Sequence, residues 1–377
     1  MESREVSGGE RWGLNVMIVG ATGYSGLELI RIVLQHPKLT ITHLFAHSEE
    51  YQSIVEVAPH LRNILTLPIQ KLTSLTMEQL KEFRRENEVV FLATPSGVSK
   101  AIGPMFLKAG FKVIDLSGDF RLKDPTVYEE WYGMSAAEKS YLEQATYGLA
   151  EIYKPKIKEA TFIANPGCYA TSILLALAPL YKSGLNIKNV YIDAKSGVSG
   201  AGKKLSISSH YAEVNDNFKA YKIGKHQHIP EIEQVLTEIG EKQTQVQLIT
   251  HLLPMTRGIL STIYLDLDLD PNPDLDSNPN PENQVTDELI RSIYEKEYWK
   301  EPFIRLLPKG VYPETKQVYG TNYCDIGLYV DQRTNKVILF SVIDNLMKGA
   351  AGQAVQNLNI MMGWEQHLGL TFVPVYP

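Results

Sequence analysis

The chain has 377 residues, of which 44% are hydrophobic and 21% are charged, and its formal net charge is −6. This length suits two domains, and the composition is that of an ordinary globular protein. The acidic balance argues against nucleic-acid binding, and no apolar run reaches the length of a membrane span. Because there are only two cysteines, no disulfide framework is expected, which favours a reducing, cytoplasmic location. Residues 1–12 lack an apolar core and are predicted to be a disordered extension.

The first apolar segment runs directly into a glycine-rich turn. Residues 14–19 have the pattern of a buried strand, Gly20, Gly23 and Gly26 follow, and an apolar helix continues to about His36. Strand, glycine-rich turn and helix form the context of a dinucleotide-binding loop, in which the helix N-terminus faces a pyrophosphate. The spacing is G-x-x-G-x-x-G rather than G-x-G-x-x-G, so a glycine turn without a ligand is the alternative.

The end of the second predicted strand bears on which dinucleotide binds. Residues 40–45 form this strand, and His47 and Ser48 follow where an acidic residue would select NAD through the ribose 2′-hydroxyl. Ser48 can instead donate to a 2′-phosphate, which favours NADP. Glu49 and Glu50 follow closely, however. They are either solvated charges of a loop or acidic residues whose presence argues against NADP.

Further predicted strands gather polar residues at one edge of a sheet. Residues 89–93, 113–116 and 161–164 are predicted strands separated by helical patterns. This alternation is typical of an α/β fold with a doubly wound parallel sheet. Arg121 follows one of these strands and is a candidate anion clamp, because a guanidinium binds phosphate or carboxylate well. A surface salt bridge to a neighbouring aspartate, Asp119 or Asp124, is the alternative.

One of these strands leads into a tight turn, Asn165-Pro166-Gly167, and then into an apolar helix. Cys168 is thus predicted to lie at the N-terminus of that helix, where unpaired N–H groups and the helix dipole favour negative charge. A thiol in that position has a lowered pKa and becomes a nucleophile. A small buried core cysteine is the alternative.

Two polar segments follow this helix. Residues 196–204 form a loop rich in serine and glycine that can cradle an anion through its backbone N–H groups. His226 and His228 lie just before a predicted helix start. Such a histidine can be the base of a cysteine nucleophile, a metal ligand, or a hydrogen-bonded packing residue. Residues 266–282 are rich in Asp, Pro and Asn and are predicted to form a mobile surface excursion.

Six motifs in a fixed order carry a resemblance to a known family. They are GATGYSG at 20–26, DLSGDFRL at 115–122, NPGCYAT at 165–171, SGVSGAGK at 196–203, KHQHIPEI at 225–232 and DNLMKGAAGQA at 344–354. With these motifs the chain, from about residue 14 to its end, resembles the N-acetyl-γ-glutamyl-phosphate reductases of arginine biosynthesis, which are related to the aspartate-semialdehyde dehydrogenases.

The resemblance implies a Rossmann-type dinucleotide-binding domain made of residues 13–167 and 346–377. An α+β domain with a mixed sheet, residues 168–345, would be inserted for catalysis and oligomer contacts. Cys168 would be the nucleophile and His228 the acid or base, with no metal. Cofactor contacts are expected from Gly20, Thr22, Gly23, Tyr24, Ser25, Gly26, Ser48, Ser199, Gly200 and Asn345, and substrate contacts from Arg121, Ser196, Lys203 and His226.

The implied reaction is the NADPH-dependent reduction of N-acetyl-γ-glutamyl phosphate to the 5-semialdehyde and phosphate, through a thioester on Cys168. The expected partners are this small acyl phosphate, phosphate, and further copies of the chain in a homodimer or homotetramer. Two alternatives remain at this level. One is a reductase of N-acyl-aminoadipyl phosphate or aspartyl phosphate, and the other is a non-catalytic NADP-binding sensor.

Overall fold

The computed structural model describes residues 13–47, 51–268, 285–334 and 336–376. Three sequence predictions fall outside these ranges: the extension at 1–12, the role of Ser48, and most of the acidic excursion. Within the described ranges, no helix has both the length and the apolar character needed to cross a membrane.

The first half of the chain builds a seven-stranded sheet in which all neighbouring strands run parallel. Its strands are β1 (Leu14–Val19), β2 (Leu39–Ala46), β3 (Ile69–Lys71), β4 (Val89–Leu92), β5 (Lys112–Asp115), β6 (Thr146–Tyr147) and β7 (Phe162–Ala164). Their spatial order is β3-β2-β1-β4-β5-β7-β6. The predicted doubly wound parallel sheet is therefore confirmed, with two short edge strands added.

Helices cover both faces of this sheet. The helices of this half are α1 (Tyr24–Gln35), α2 (Ile54–Val57), α3 (Met77–Phe83), α4 (Ser99–Lys108), α5 (Pro125–Tyr132), α6 (Lys139–Gln144) and α7 (Ala150–Glu159), and α8 (Cys168–Lys182) follows them and lies against the second sheet. Along β1, Val16 and Ile18 belong to one hydrophobic core, whereas Met17 and Val19 belong to the other. Burial on both faces explains why the strand is a continuous apolar run rather than an alternating pattern.

The second half of the chain builds a seven-stranded mixed sheet in the order β12-β13-β14-β11-β8-β10-β9. Its strands are β8 (Asn186–Gly197), β9 (Lys219–Tyr221), β10 (Gln247–Leu253), β11 (Ile259–Asp268), β12 (Ile304–Leu306), β13 (Cys324–Asp331) and β14 (Lys336–Ile343). The remaining α-helices are α9 (Tyr211–Val214), α10 (His228–Gly240), α11 (Asp287–Tyr298) and α12 (Gly352–Met361).

Helix α8 is the central packing element, because it lies against the second sheet and against α10 and α11. Every residue from Tyr169 to Leu180 is buried. Pro179 lies inside this helix and has no N–H to donate to Leu175. The Tyr298 hydroxyl on α11 donates to the Leu175 carbonyl instead, at 2.7 Å. A neighbouring helix thus satisfies the polar group that the proline leaves unpaired.

The last helix returns to the first half of the molecule, where α12 packs against α7. Asn357 on α12 donates to the Gly148 carbonyl at 2.7 Å and to the Asn165 side chain at 3.0 Å. Asn165 begins the turn that precedes α8. The C-terminal helix therefore braces the backbone that presents Cys168.

Candidate active site

A cavity of about 730 Å³ opens between the two halves of the molecule. It lies at the carboxyl ends of β1 and β4, where parallel sheets of this kind bind ligands. Of the predicted site residues, fourteen line it: Gly20, Thr22, Gly23, Tyr24, Ser25, Arg121, Cys168, Ser196, Ser199, Gly200, Lys203, His226, His228 and Asn345. Their proximity makes one site, although the role of each residue stays a prediction.

The glycine-rich turn forms one end of this cavity. Gly20 has a φ of +85°, and a methyl group there would come within 2.3 Å of the Ala93 carbonyl oxygen. Gly23 is the N-cap of α1, where no side chain accepts from the first turn and no acidic residue is present. The exposed first-turn N–H groups fit the pyrophosphate of a dinucleotide.

Gly26 differs from the other two glycines, because it does not line the cavity. It is buried, and a methyl group there would lie 2.2 Å from the Gly20 carbonyl oxygen. The close packing of α1 against the turn requires a glycine here. The contact between Gly26 and the cofactor stays a prediction.

Cys168 is the first residue of α8, and Gly167 is its N-cap, as the sequence predicts. The predicted lowering of the thiol pKa is wrong. Burial raises the pKa of Cys168 to about 11, while the charge of Arg121 and the Tyr169 backbone N–H oppose this to a smaller extent. The free-energy cost of removing a thiolate from water exceeds the stabilisation that the helix N-terminus provides. The Cys168 side chain is therefore a neutral thiol in the free protein.

His228 is buried beside the turn that carries Cys168. A methyl group added to Gly167 would lie 2.3 Å from His228 Nε2, so the imidazole is stacked directly against this peptide. Burial, and after it the positive charges of Arg121 and Lys222, lowers the pKa of His228 well below its ordinary value. The imidazole is therefore neutral and has a nitrogen free to accept a proton.

His226 accepts a hydrogen bond from the backbone of His228. Its Nδ1 accepts from the His228 backbone N–H at 3.1 Å, so this nitrogen carries no proton. Burial lowers the pKa of His226 to about 2. The two imidazole rings are 4.7 Å apart, and the Tyr169 ring lies 5.2 Å from His226. Within the ranges described, no group of three or more His, Cys, Asp or Glu side chains is arranged to hold a metal ion.

Arg121 is buried, and its partner differs from those predicted. Its guanidinium donates to the carbonyls of Asn165 and Leu116, at 2.8 and 2.7 Å, and lies 3.5 Å from Glu231. Asp119 and Asp124 instead accept from the backbone N–H groups of Lys100 and Thr126. The alternative of a surface salt bridge to one of these aspartates is wrong.

Glu231 is a residue that the sequence analysis did not single out. Its side chain is fully buried, and one oxygen accepts from the Gly167 N–H at 2.8 Å and from the Tyr147 hydroxyl at 2.7 Å. The other oxygen faces Arg121 at 3.5 Å. Glu231 therefore holds together the N-cap of α8 and the Arg121 guanidinium. Its place three residues after His228, inside the KHQHIPEI motif, was the available signal.

The serine-rich loop closes the far side of the cavity. Asn345 donates to the Ser199 hydroxyl at 2.9 Å and accepts from the Gly258 N–H at 2.8 Å. Lys203 is exposed and donates to the Thr22 carbonyl at 3.4 Å. These contacts join residues of the glycine-rich turn, the serine-rich loop and the end of β14 around one opening.

Comparison with known families agrees with this two-part site. Residues 15–160 match a family model described as the semialdehyde dehydrogenase NAD-binding domain. Residues 168–345 match the semialdehyde dehydrogenase dimerisation domain. The N-acetyl-γ-glutamyl-phosphate reductase of Geobacillus kaustophilus is 48% identical over 365 residues, covering 97% of this chain and 100% of that protein.

The chain belongs to the N-acetyl-γ-glutamyl-phosphate reductase family. Proteins of the same name from Listeria monocytogenes and Bacillus cereus are 48% and 45% identical to it, over 97% and 96% of this chain and the whole of each relative. The family resemblance inferred from the six motifs is thereby confirmed, and the chain is an NAD(P)-dependent oxidoreductase of the semialdehyde dehydrogenase type.

Solved structures of lower identity share the fold of this family member. Aspartate semialdehyde dehydrogenase II from Vibrio cholerae superimposes with a TM-score of 0.68 at 17% identity, over 93% of this chain and 98% of that one. A probable aspartate-semialdehyde dehydrogenase from Pseudomonas aeruginosa gives 0.66 at 20% identity, with the same coverage. The combination of a parallel dinucleotide-binding sheet and a second mixed sheet is thus common to the wider group.

Proposed function

We propose that this chain reduces N-acetyl-γ-glutamyl phosphate with NADPH to N-acetyl-L-glutamate 5-semialdehyde and phosphate, as a step of arginine biosynthesis. The observation that carries the proposal is the single cavity that joins Cys168 and His228 to the uncapped glycine-rich turn of α1. The names of relatives at 45–48% identity over nearly the whole chain support the same substrate.

The proposed reaction begins with a neutral Cys168 thiol and a neutral His228 imidazole. His228 accepts the thiol proton as Cys168 Sγ forms a bond to the acyl carbon. The bond from that carbon to the phosphate oxygen breaks, phosphate leaves, and a thioester remains on Cys168. The hydride that reduces this thioester comes from NADPH when it is bound. His228 then returns its proton as the carbon–sulfur bond breaks, and the aldehyde is released.

The chain's own residues supply the cofactor site in this proposal. The α1 N-terminus at Gly23–Ser25 would hold the pyrophosphate, and Ser199, Gly200 and Asn345 would contact the nicotinamide half. His47, at the end of β2, lines the cavity on the side where a 2′-phosphate is expected. Fluorescence titration with NADPH and with NADH, which needs no turnover, measures the preference for the 2′-phosphate directly.

The electrostatics of the cavity favour an N-acylated substrate. Among the described residues that line it, none is Asp or Glu, whereas Lys203 and Lys204 are cations, and Arg121 is a third cation that is paired with Glu231 outside the lining. A substrate that carries a carboxylate, a phosphate and a neutral amide suits such a lining. The free α-ammonium of aspartyl phosphate would enter it without a carboxylate partner, which is costly.

A parallel assay with three acyl phosphates tests this substrate assignment. We expect N-acetyl-γ-glutamyl phosphate to exceed aspartyl phosphate in kcat/KM by at least about a hundredfold. The one-carbon-longer N-acyl-aminoadipyl phosphate should lose about 10–200-fold, the effect of one methylene. Equal or better turnover of either competitor would assign the chain to a different acyl phosphate.

The open face of the second sheet supports a proposal for association. Tyr191 on β8 lies opposite Tyr264 on β11, Tyr264 lies opposite Ile338 on β14, and Tyr329 on β13 also lies opposite Ile338. The three tyrosines are exposed, so they form an uncovered row across four strands. We propose that two chains associate through this tyrosine row, which lies in the part matched by the dimerisation model.

We also propose how the chain divides into two domains. Residues 13–167 and 346–377 would form the dinucleotide-binding domain, and the packing of α12 on α7 supports this. Residues 168–345 would form the catalytic domain.

We propose a cytoplasmic location, because this chemistry needs a reduced Cys168 and both cysteines are free thiols.

A further inference from the structure

A chain of ion pairs connects the two halves of the molecule behind the cavity. Glu28 lies one turn into α1, and its side chain is almost fully buried. Arg257, in the turn between β10 and β11, donates through Nη2 to Glu28 Oε2 at 2.7 Å. A side chain of the second half is thus hydrogen-bonded to the helix that begins at the glycine-rich turn.

The same guanidinium reaches a second buried carboxylate. Arg257 Nη1 lies 3.5 Å from Asp344 Oδ2. Asp344, at the end of β14, accepts from the backbone N–H groups of Gly320 and Leu346, at 2.7 and 2.8 Å. We call Glu28, Arg257 and Asp344 the domain bridge. None of the three lines the cavity.

The turn that carries Arg257 is bonded to the serine-rich loop by backbone contacts. The Gly197 N–H donates to the Gly258 carbonyl at 2.9 Å, and the Ser199 N–H donates to the Thr256 carbonyl at 3.1 Å. Asn345 adds side-chain bonds to Gly258 and Ser199. Arg257 is therefore connected to Ser199 and Asn345 through hydrogen bonds, whereas Glu28 belongs to the helix that begins at the glycine-rich turn.

We propose that Arg257 is a positioning residue for the dinucleotide, because it fixes the spacing between the glycine-rich turn and the serine-rich loop. A dinucleotide that contacts both segments binds well only if this spacing is held. The inference rests on the proposed function, since that proposal assigns Ser199 and Asn345 to the cofactor. Cys168 is not a member of the bridge: its own helix, the Gly167 turn and Glu231 hold it, and it packs against Gly349.

Arg257→Lys tests the role, since lysine keeps the charge but cannot span two carboxylates as a planar fork does. Glu28 stays paired in this variant, because Arg31 also bonds it, at 2.6 Å. Arg305→Lys is the matched control: Arg305 pairs at 2.6 Å with the buried Asp325, but β12 and β13 both belong to the second sheet.

The readout is NADPH affinity by fluorescence titration, together with the rate of Cys168 alkylation by iodoacetamide. We expect Arg257→Lys to weaken NADPH binding about tenfold and to leave the alkylation rate within about twofold of wild type. Arg305→Lys should change neither. If Arg257→Lys does not fold, Glu28→Gln carries the same test with the same criteria.

A double-mutant cycle completes the experiment. Arg257→Lys and Glu28→Gln should together weaken NADPH binding no more than the stronger single change, because both disrupt one connection. The proposal would be overturned if Arg257→Lys bound NADPH within about twofold of wild type, or if Arg305→Lys lost as much affinity as Arg257→Lys. It would also be overturned if the losses of the two single changes were fully additive in the double variant. Because binding is measured without turnover, a failure of the Cys168 mechanism would be seen separately, as activity that survives in Cys168→Ser.

Discussion

At the scale of single residues, the position of Cys168 could be predicted but its protonation state could not. The turn Asn165-Pro166-Gly167 and the apolar run after it are local signals, and they gave the helix start correctly. The raised pKa comes from burial by segments that are distant in sequence. Desolvation of this kind is a property of the folded cavity, so no local pattern reports it.

The raised pKa predicts the pH dependence of thiol reactivity in the free protein. Since only the thiolate reacts, alkylation of Cys168 by iodoacetamide should be slow at pH 7 and should rise about tenfold per pH unit towards a pKa of about 11. Peptide mapping by mass spectrometry after timed labelling measures this rate at Cys168 itself.

Cys324 provides an internal control for this measurement. It is fully buried, and burial raises its pKa to about 12, so its peptide should stay unlabelled in the folded protein. Labelling of Cys168 that is already fast at pH 7 and levels off below pH 8 would show a preformed thiolate and would contradict the neutral resting pair.

Glu231 shows why the site could be predicted only in part. Its motif was recognised, but a glutamate beside a predicted helix start is what an ordinary first helical turn contains, so nothing in the sequence singled it out. The folded chain brings Tyr147, Gly167 and Arg121 to this one carboxylate. These partners are 64–110 residues away, so the contact is set by topology rather than by spacing.

At the scale of elements, strands such as β1, β4 and β7 were predicted well, because each contains a continuous run of buried apolar residues between turn residues. The short strands β3, β6, β9 and β12 were missed, since two or three residues carry no periodicity, and the eight-residue strand β13 was missed as well. Helix α8 was predicted from its composition, but the support that it receives from α11 at Pro179 was not, because that support is a tertiary contact.

Tyr298→Phe tests the contact between α11 and α8. The variant keeps the ring and removes the hydroxyl that bonds the Leu175 carbonyl, which Pro179 cannot serve. Leaving this buried acceptor unpaired should lower the free energy of unfolding by about 1–3 kcal/mol, measured by urea denaturation.

Tyr376→Phe is the control for this change, because Tyr376 is 68% exposed near the C-terminus. It should alter the free energy of unfolding by less than about 0.5 kcal/mol. Equal stability of wild type and Tyr298→Phe would mean that the Leu175 carbonyl does not need the hydroxyl.

At the scale of the whole molecule, the tyrosine row predicts how copies of the chain associate. Tyr264→Glu places a charge at the centre of the row, beside Tyr191 and Ile338. If the row is buried between two chains, this uncompensated charge should shift the assembly towards monomer, as measured by analytical ultracentrifugation.

Trp299→Glu is the matched control for association. Trp299 is also large, apolar and exposed, but it directly follows α11 and does not belong to any of the four strands that carry the row. It should leave the sedimentation coefficient unchanged. If the assembly persists in Tyr264→Glu, the contact between the chains lies on another surface.

The central claim is that the acyl group passes through Cys168, and mass spectrometry of the protein mixed with N-acetyl-γ-glutamyl phosphate without NADPH tests it most directly. Our account predicts an N-acetylglutamyl adduct on the Cys168 peptide, which is absent in Cys168→Ser and is discharged as semialdehyde when NADPH is added. Turnover by an enzyme whose Cys168 never becomes acylated, or full activity in Cys168→Ser, would contradict it.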